Sequence, residues 1–210
     1  MNQGLGDHIA LAGACVKLAE QYPHLIVPHA QAYTQSLRAL FDGYPIMLIP
    51  YGSVPGNAPY INIQPHTPFG NGVDHYTHIY RDMLKMDPLV RWTYCPLEHN
   101  RYRSQFQLAI PNVPYAFVHD DQARRFTIDN RHIRKGLRIV TPKPQVEHSI
   151  LAYCMLIEYA DEVHVIDSAF FHLTEQLNPT GKLFLHRYAR HYVPVWMDYF
   201  TRHDWRNIVQ

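Results

Sequence analysis

The stretch Gly4-Leu5-Gly6-Asp7-His8 carries residue types that suit a substrate site. Two glycines one residue apart predict a tight turn that a ligand can approach closely, because neither residue carries a Cβ. A long apolar run begins at Ile9, so the turn is expected to lead into a helix N-terminus, where unpaired N–H groups favour anionic partners. The Asp7 carboxylate then either caps that helix or points into a cleft as a general base. The stretch alone does not decide between these roles.

A second set of polar side chains comes directly after two apolar runs in the C-terminal half of the sequence: His119, Asp120 and Asp121 after the first, Asp167 and Ser168 after the second. In an open parallel sheet, the side chains at the carboxyl ends of the strands gather in the crevice where ligands bind. The position of these residues therefore predicts a small-molecule site.

Each residue of this second set also has a structural interpretation. The two aspartates can cap a turn or pair with Arg124 and Arg125, and His119 can be a hydrogen-bonded wall residue. Ser168 can serve as the N-cap of the helix that follows it. His172, on that helix, can be a packed histidine with satisfied hydrogen bonds. The basic cluster between Arg131 and Lys135 is either a solvated face or a phosphate contact.

Apolar patterning predicts the elements that would position these residues. Short apolar bursts indicate buried parallel strands, and apolar residues at helical spacing indicate helices between them. The predicted strands cover 25–27, 46–49, 115–118, 136–140, 162–166 and 183–185, with 60–63 as a further candidate. The predicted helices cover 7–22, 33–41, 75–86, 149–160 and 169–177, with a closing helix in 195–208.

Strands and helices in alternation predict an α/β fold made of βαβ units. The pattern restarts after a break near residue 107, which predicts a compact protein of two small Rossmann-like halves, 1–107 and 108–210, that face a cleft. A nicotinamide-dependent oxidoreductase is disfavoured, because Ile9 occupies the position where the third glycine of the dinucleotide fingerprint would stand.

Composition excludes several classes of protein. The 210 residues are 47% apolar, which rules out wholesale disorder, and the net charge of +1 gives no global basic field for nucleic acid. Cys15, Cys95 and Cys154 are few and widely spaced, which predicts reduced thiols and a cytoplasmic location. No signal peptide or membrane span is expected. His75 and His78 lack further ligands at zinc spacing, so no metal site is expected.

Two groups of motifs resemble a known family. Gly4-Leu5-Gly6-Asp7 before an apolar helix, with Asp167-Ser168 and His172-Leu173 late in the chain, resembles the heptosyltransferase-like glycosyltransferases. Asn2-x-Gly4-Leu5-Gly6-Asp7-His8 and Tyr115-x-Phe117-Val118-His119-Asp120-Asp121-x-x-Arg124-x-Phe126 are more specifically similar to glycosyltransferase sequences of viruses and environmental bacteria. The resemblance covers most of the chain. It implies the GT-B architecture, with two Rossmann-like halves around a cleft.

The resemblance also implies a role for each matched residue. Asp7 would deprotonate the acceptor hydroxyl, with His8 beside it, and the first half would be the acceptor side. The second half would bind a nucleotide-sugar, whose diphosphate meets the turn from Asp167 to His172, while Arg124 or Arg125 supplies positive charge. The implied donor-binding residues are Gly4, Gly6, His119, Asp120, Asp121, Arg124, Asp167, Ser168 and His172.

The function that the resemblance implies is sugar transfer from a nucleotide-sugar donor to a hydroxyl acceptor, with inversion at the anomeric carbon. The nucleotide-sugar is a co-substrate, and neither a metal nor another cofactor is expected. The acceptor is a glycan or a modified DNA base. Two alternatives remain. One is a viral glycosyltransferase acting on hydroxymethylpyrimidine bases, which the clusters Arg101/Arg103 and Arg131 to Lys135 permit, while the near-neutral net charge argues mildly against it. The other is a non-catalytic module that binds nucleotides or sugars.

Overall fold

The structure is a computed structural model that describes residues 4–57, 59–60, 75–100, 108–143, 149–189 and 200–209. The chain forms two compact units. Unit 1 comprises Met1–Arg103 and Trp196–Phe200, and unit 2 comprises Ser104–Val195 and Thr201–Gln210. Residue 107, where the break between the halves is predicted, lies outside the described residues, as do residues 61–63 of the further candidate strand.

Unit 1 contains a two-stranded parallel sheet. Its strands are β1 (Leu25–His29) and β2 (Ile46–Pro50), which pair with Leu25 opposite Ile46. The α-helices of its described residues are α1 (Leu5–Ala10), α2 (Ala12–Ala19), α3 (Thr34–Leu40), α4 (His75–His78), α5 (Val90–Thr93) and α6 (Leu97–Asn100), and Ile79–Met83 continue α4 as a π-helix. The predicted strand–helix–strand succession of this half is confirmed.

The first helix begins earlier than the glycines predict. Gly4 is the residue before α1 and has φ −77° and ψ 167°, an extended conformation open to any residue, while Gly6 and Asp7 lie in the first helical turn. The predicted glycine loop before the helix is therefore wrong. The reason is that the Asp7 carboxylate accepts a hydrogen bond from the Gly4 amide at 2.6 Å and closes the first turn. The predicted single helix is also interrupted, at Leu11.

Unit 2 is built on a five-stranded parallel sheet. Its strands are β3 (Tyr115–His119), β4 (Arg138–Val140), β5 (Glu162–Val165), β6 (Lys182–His186) and β7 (Trp205–Ile208), in the spatial order β4-β3-β5-β6-β7. Its α-helices in the described residues are α7 (Cys154–Glu158) and α8 (Ala169–Gln176), and shorter 3-10 segments cover Gln122–Arg124, Asn130–His132, Ile150–Tyr153 and Arg187–Ala189. The fold is thus α/β with parallel sheets, as predicted.

Strand β3 is covered on both faces, as its continuous apolar run predicts. On one face, the Tyr115 hydroxyl donates to the Leu156 carbonyl of α7 at 3.0 Å, and the Phe117 ring lies 5.4 Å from that of Phe170 on α8. On the other face, Ala116 and Val118 pack in a buried cluster with three residues of the connection to β4, which are Phe126, Ile128 and Ile133. This connection forms the second layer over the sheet.

The predicted closing helix is wrong where the structure describes it. Residues 200–204 are irregular, and Trp205–Ile208 form β7, which pairs in parallel with β6, Trp205 lying opposite Leu183. Trp205 is buried, and its indole N–H donates to the Glu175 carboxylate of α8 at 2.6 Å. Sheet pairing and this buried hydrogen bond favour the strand over a helix. None of the helices in the described ranges has the length and apolarity that a membrane span requires.

Candidate functional site

The strand order of unit 2 creates a topological switch point. From β3 the chain proceeds to β4 on one side and then returns to β5 on the other side of β3. Ligands of open parallel sheets bind at the carboxyl ends of the strands at such a point. His119 ends β3, and Asp167 and Ser168 follow β5 after one intervening residue, Ile166. The structure therefore brings together, at this edge, the two polar groups that the sequence placed after the strands.

Ser168 and His119 are in direct contact. The Ser168 Oγ lies 3.1 Å from His119 Nδ1, which joins the ends of the two neighbouring strands. Ser168 precedes α8 in the N-cap position, but its side chain makes no capping hydrogen bond. The first-turn N–H groups of α8 therefore remain without a side-chain acceptor from this residue, at the positive end of the helix dipole. This arrangement suits an anionic ligand.

His119 is held neutral by its surroundings. Burial lowers the pKa of His119 to about 4, with Asp121 and Arg124 acting in opposite directions as smaller causes. The ring packs on Phe170, with centroids 4.4 Å apart. A neutral imidazole carries one donor and one acceptor nitrogen, so it can orient the Ser168 hydroxyl without adding charge to the site.

This burial predicts a loss of stability in acid. The folded-state pKa of about 4 lies below the ordinary 6.5, so the unfolded chain takes up the proton first as the pH falls. The contribution of neutral His119 to the free energy of unfolding is therefore complete above pH 6.5 and is lost as the pH falls toward 4. At pH 5 the loss is about 2 kcal/mol. Urea denaturation at pH 7 and pH 5 measures this effect. The free energy of unfolding of His119→Gln should fall between the two pH values by about 2 kcal/mol less than that of the wild type. An equal loss in variant and wild type would contradict the prediction.

The loop after β3 contains a closed turn. The backbone amides of Asp121 and Phe126 each donate to the other's carbonyl, at 2.8 and 2.9 Å. The Asp121 carboxylate accepts from the Arg124 amide at 3.0 Å and from its guanidinium at 2.6 Å. Partial burial works to raise the pKa of Asp121, but the two Arg124 hydrogen bonds outweigh it and the pKa is lowered. Asp121 thus has the predicted capping and pairing role.

Arg125 differs from Arg124 in this turn. Its backbone has φ +62°, in the left-handed region that side chains with a Cβ enter at a cost of about 1 kcal/mol. Its side chain is exposed and makes no hydrogen bond or ion pair within the described residues, whereas Arg124 is paired with Asp121. Both guanidinium groups belong to the loop that begins at the switch point, directly after β3.

The other predicted donor-site residues of unit 2 make internal contacts. The Asp120 carboxylate accepts from the Ile128 amide at 3.4 Å. His172 is buried, and its Nε2 lies 3.9 Å from the Asp167 carboxylate. These contacts connect the loop after β3 to the segment that follows it, and α8 to the residue before Ser168. The burial of His172 matches its structural interpretation as a packed histidine. Asp120 instead accepts from a more distant amide, and in the described residues it neither caps the turn nor pairs with Arg124 or Arg125.

In unit 1, the Asp7 carboxylate accepts two hydrogen bonds. One comes from the Gly4 amide at 2.6 Å and the other from the Tyr76 hydroxyl at 2.7 Å. His8 is buried, and its two ring nitrogens lie 2.9 Å from the Gly4 carbonyl and 3.0 Å from the Pro28 carbonyl. His8 therefore ties α1 to the end of β1. No local sequence pattern pointed to Tyr76, because it lies far from Asp7 along the chain.

A buried chain of polar side chains crosses one face of the unit 2 sheet, and the sequence interpretation missed it. Its members are Glu162 and His164 on β5, His186 at the end of β6, and Tyr188 just beyond, and we call it the histidine chain. The signal was the alternation Glu162-Val163-His164-Val165, which puts polar residues on one face of a strand that is buried throughout.

A cavity of about 510 Å³ lies at the opposite edge of the sheet, at the amino ends of β5 and β6. Arg134, Asp161, Glu162 and Lys182 are among its lining residues. The Arg134 guanidinium is already paired with Asp161 at 3.0 Å and lies 3.8 Å from Glu162. We assign the candidate site to the switch point, because ligands of such sheets bind at the carboxyl ends of the strands.

Within the described residues, no three His, Cys, Asp or Glu side chains are grouped so that they could hold a metal ion. Comparison of the chain with protein-family models, curated proteins and solved structures found no match. The function is therefore argued from the geometry of the site.

Proposed function

We propose that unit 2 binds the diphosphate of a nucleotide-sugar and that the protein transfers the sugar to a hydroxyl acceptor. The observation that carries the proposal is the contact between Ser168 and His119 at the switch point, next to the N-terminus of α8, where the Ser168 side chain makes no capping hydrogen bond. A diphosphate accepts hydrogen bonds from such backbone N–H groups. In the tautomer in which His119 donates from Nδ1 to the Ser168 Oγ, the hydroxyl hydrogen is left to donate to the diphosphate.

The same groups would assist the reaction. As the glycosidic bond breaks, the leaving nucleoside diphosphate gains negative charge. Preorganised N–H groups and a guanidinium directed at that charge stabilise the transition state more than the ground state. Arg124 and Arg125 are the cations of the adjoining loop. Leaving-group stabilisation of this kind needs no metal ion, in keeping with the expectation from the sequence.

Asp7 is proposed as the base for the acceptor hydroxyl. Each of its oxygens accepts one hydrogen bond, and a carboxylate oxygen has a second lone pair with which to accept an acceptor hydroxyl. Removal of the proton makes the hydroxyl a competent nucleophile. Direct displacement then inverts the anomeric carbon. Two units that each contain a parallel sheet are compatible with the GT-B architecture, which is part of the proposal.

Thermal denaturation with a panel of nucleoside diphosphates and their sugars tests the proposal. A ligand at a hundred times its Kd stabilises the folded state by about 2.7 kcal/mol, which raises the Tm of a chain of this size by about 5–10 °C. We expect one base to give such a shift. The absence of a shift with every nucleoside diphosphate and sugar would contradict the proposal.

The loop arginines give a second test. We expect Arg124→Ala to weaken nucleoside diphosphate affinity by about 10- to 100-fold, since a charge-assisted hydrogen bond contributes about 1.5–3 kcal/mol. Arg81→Ala is the matched control, because Arg81 also pairs with a neighbouring aspartate, is about as exposed as Arg124 and lies in unit 1. Titration calorimetry measures the affinities. If only Arg125→Ala loses affinity, Arg125 is the residue that supplies positive charge to the diphosphate. Unchanged affinity in both Arg124→Ala and Arg125→Ala would contradict the assignment of this role to the loop.

A non-catalytic nucleotide- or sugar-binding module is the second candidate. It is favoured by the two hydrogen bonds of Asp7, which give this carboxylate a structural role at the start of α1. The two candidates differ in turnover: a transferase releases nucleoside diphosphate when an acceptor is added, and a binding module does not. Glycan and hydroxymethylated DNA acceptors should both be assayed, because the sequence leaves the acceptor open.

A further inference from the structure

The histidine chain is continuous and fully buried at its centre. The Glu162 carboxylate lies 3.1 Å from His164 Nε2, His164 Nδ1 lies 2.9 Å from His186 Nε2, and His186 Nδ1 lies 3.3 Å from the Tyr188 hydroxyl. Both histidines have no exposed surface, and Glu162 is 5% exposed. The four side chains therefore satisfy one another inside the fold.

The contacts fix the direction of every hydrogen bond when Glu162 is ionised and both rings are neutral. The carboxylate only accepts, so His164 carries its hydrogen on Nε2 and presents Nδ1 as an acceptor. His186 must then donate from Nε2, which leaves its Nδ1 to accept from the Tyr188 hydroxyl. The Tyr188 oxygen in turn accepts the Asp129 amide at 2.8 Å.

The histidine chain also anchors the segment that covers it. The Asp129 amide donates to Tyr188 at one end, and the Arg134 amide donates to the Glu162 carboxylate at 3.1 Å at the other. This 129–134 segment continues from Ile128, whose amide donates to the Asp120 carboxylate. A physical path thus runs from the buried side chains to the loop at the switch point.

We propose that the histidine chain is a positioning network that holds the 129–134 segment, and with it Asp120, while both histidines are neutral, and that acid releases the segment. Its bearing on ligand binding rests on the proposed function of unit 2. An added proton on His186 Nδ1 turns that nitrogen into a donor facing the hydroxyl. A proton on each ring would set two N–H groups against each other across the 2.9 Å contact.

The charged and titratable groups around the rings come from three elements. Glu162 faces them from β5, Tyr188 from the end of β6, and the 129–134 segment contributes Asp129, His132 and Arg134. Burial, with repulsion from His164 and His132, lowers the pKa of His186 to about 3. Burial also lowers the pKa of His164, against the opposing effect of Glu162.

The two anchoring amides are the direct reporters. When the segment opens, the His186 ring regains its ordinary pKa of 6.5, so opening becomes about 20- to 30-fold more favourable at pH 5 than at pH 7. Amide hydrogen exchange by NMR, corrected for intrinsic rates, should show this fall in protection at Asp129 and Arg134. His186→Gln keeps an N–H donor toward His164 but does not titrate. The pH effect on opening that comes from His186 should therefore disappear in this variant.

Two further variants separate the network from general acid sensitivity. His132→Gln changes a histidine that lies against His186 but outside the chain, and should keep the wild-type fall in protection. Tyr188→Phe should lower the exchange protection of the Asp129 amide already at pH 7 and leave that of the Arg134 amide unchanged. This variant tests the network if His186→Gln fails to fold. Protection that is independent of pH, or that falls equally in wild type and His186→Gln, would overturn the proposal.

Inorganic pyrophosphate is the probe for the link to the site. At pH 7, pyrophosphate at about a hundred times its Kd should raise the protection of both amides by about 100-fold, because a ligand that binds only while the segment is closed stabilises the closed state. Unchanged protection with pyrophosphate bound would overturn the positioning role. If pyrophosphate does not bind at pH 7, the proposed function fails, while the exchange measurements still decide whether the histidine chain holds the segment.

Discussion

Asp7→Asn is expected to lower the turnover of sugar transfer by about 10²- to 10⁴-fold and to leave nucleoside diphosphate affinity nearly unchanged. That range is the usual contribution of a general base, which asparagine cannot replace. The donor is assigned to unit 2, so its affinity does not depend on this carboxylate. Steady-state kinetics with the donor and acceptor found by screening, beside calorimetry of nucleoside diphosphate binding, separate the two quantities.

Tyr76→Phe is the matched control for Asp7→Asn. It removes the hydrogen bond from the Tyr76 hydroxyl but keeps the carboxylate and its bond from the Gly4 amide. If Asp7 acts as a base, turnover of Tyr76→Phe stays within about tenfold of the wild type. If Asp7 only caps α1, both variants lose stability and neither changes turnover selectively. Unchanged turnover in Asp7→Asn would remove this residue as the base.

Gly181→Ala is expected to lower the free energy of unfolding by about 3 kcal/mol or more. A Cβ at Gly181 would stand within 2.6 Å of the Asp161 carbonyl carbon and closer still to the Ala160 carbonyl oxygen. These are backbone atoms, and both neighbours of Gly181 are already bonded to the same turn: the Thr180 amide to Glu158 and the Lys182 amide to Asp161, each at 3.0 Å. Overpacking against fixed backbone is among the costly substitutions.

Gly52→Ala is the control for this substitution. A Cβ at Gly52 meets no heavy atom within 4 Å, and its φ is not in the left-handed region. Its effect on unfolding should therefore stay within about 0.5 kcal/mol, the range of ordinary surface changes. Urea denaturation of both variants at pH 7 measures the contrast. Equal stability of the two variants would contradict the prediction. It would show that the backbone around Gly181 can move to make room for a Cβ at little cost in free energy.

Local pattern predicted most of the fold. The apolar run Tyr115–Val118 becomes β3, because a strand covered on both faces needs apolar residues throughout. The segment after Asp161 becomes β5, in which two valines alternate with the buried Glu162 and His164. The helix after Ser168 was likewise predicted within one residue of its end. The parallel sheet and the placement of Ser168 and His119 at one edge follow from these elements and from the usual connection of βαβ units.

Long-range contacts explain what pattern could not predict. The segment Trp205–Ile208 is so short that its alternating pattern did not distinguish a strand from a helix. It is a strand because it pairs with β6 and because the Trp205 indole donates a hydrogen bond to Glu175. The early start of α1 depends on the carboxylate of Asp7, and the partner of that carboxylate, Tyr76, is remote in sequence. The histidine chain likewise joins residues of two strands and needs the register between them.

The parallel order of the unit 2 strands also affects how this unit folds. All adjacent strands of this sheet are parallel and the chain reaches each new strand by a crossover, so no tight hairpin can nucleate the sheet. Of these pairings, β3 with β5 closes the longest loop, and loop-closure entropy rises with loop length. We therefore expect the contact of Ser168 with His119 to form late in folding, after the shorter loop between β5 and β6 has closed. The candidate site is therefore expected to be completed only when the pairing of β3 with β5 has formed.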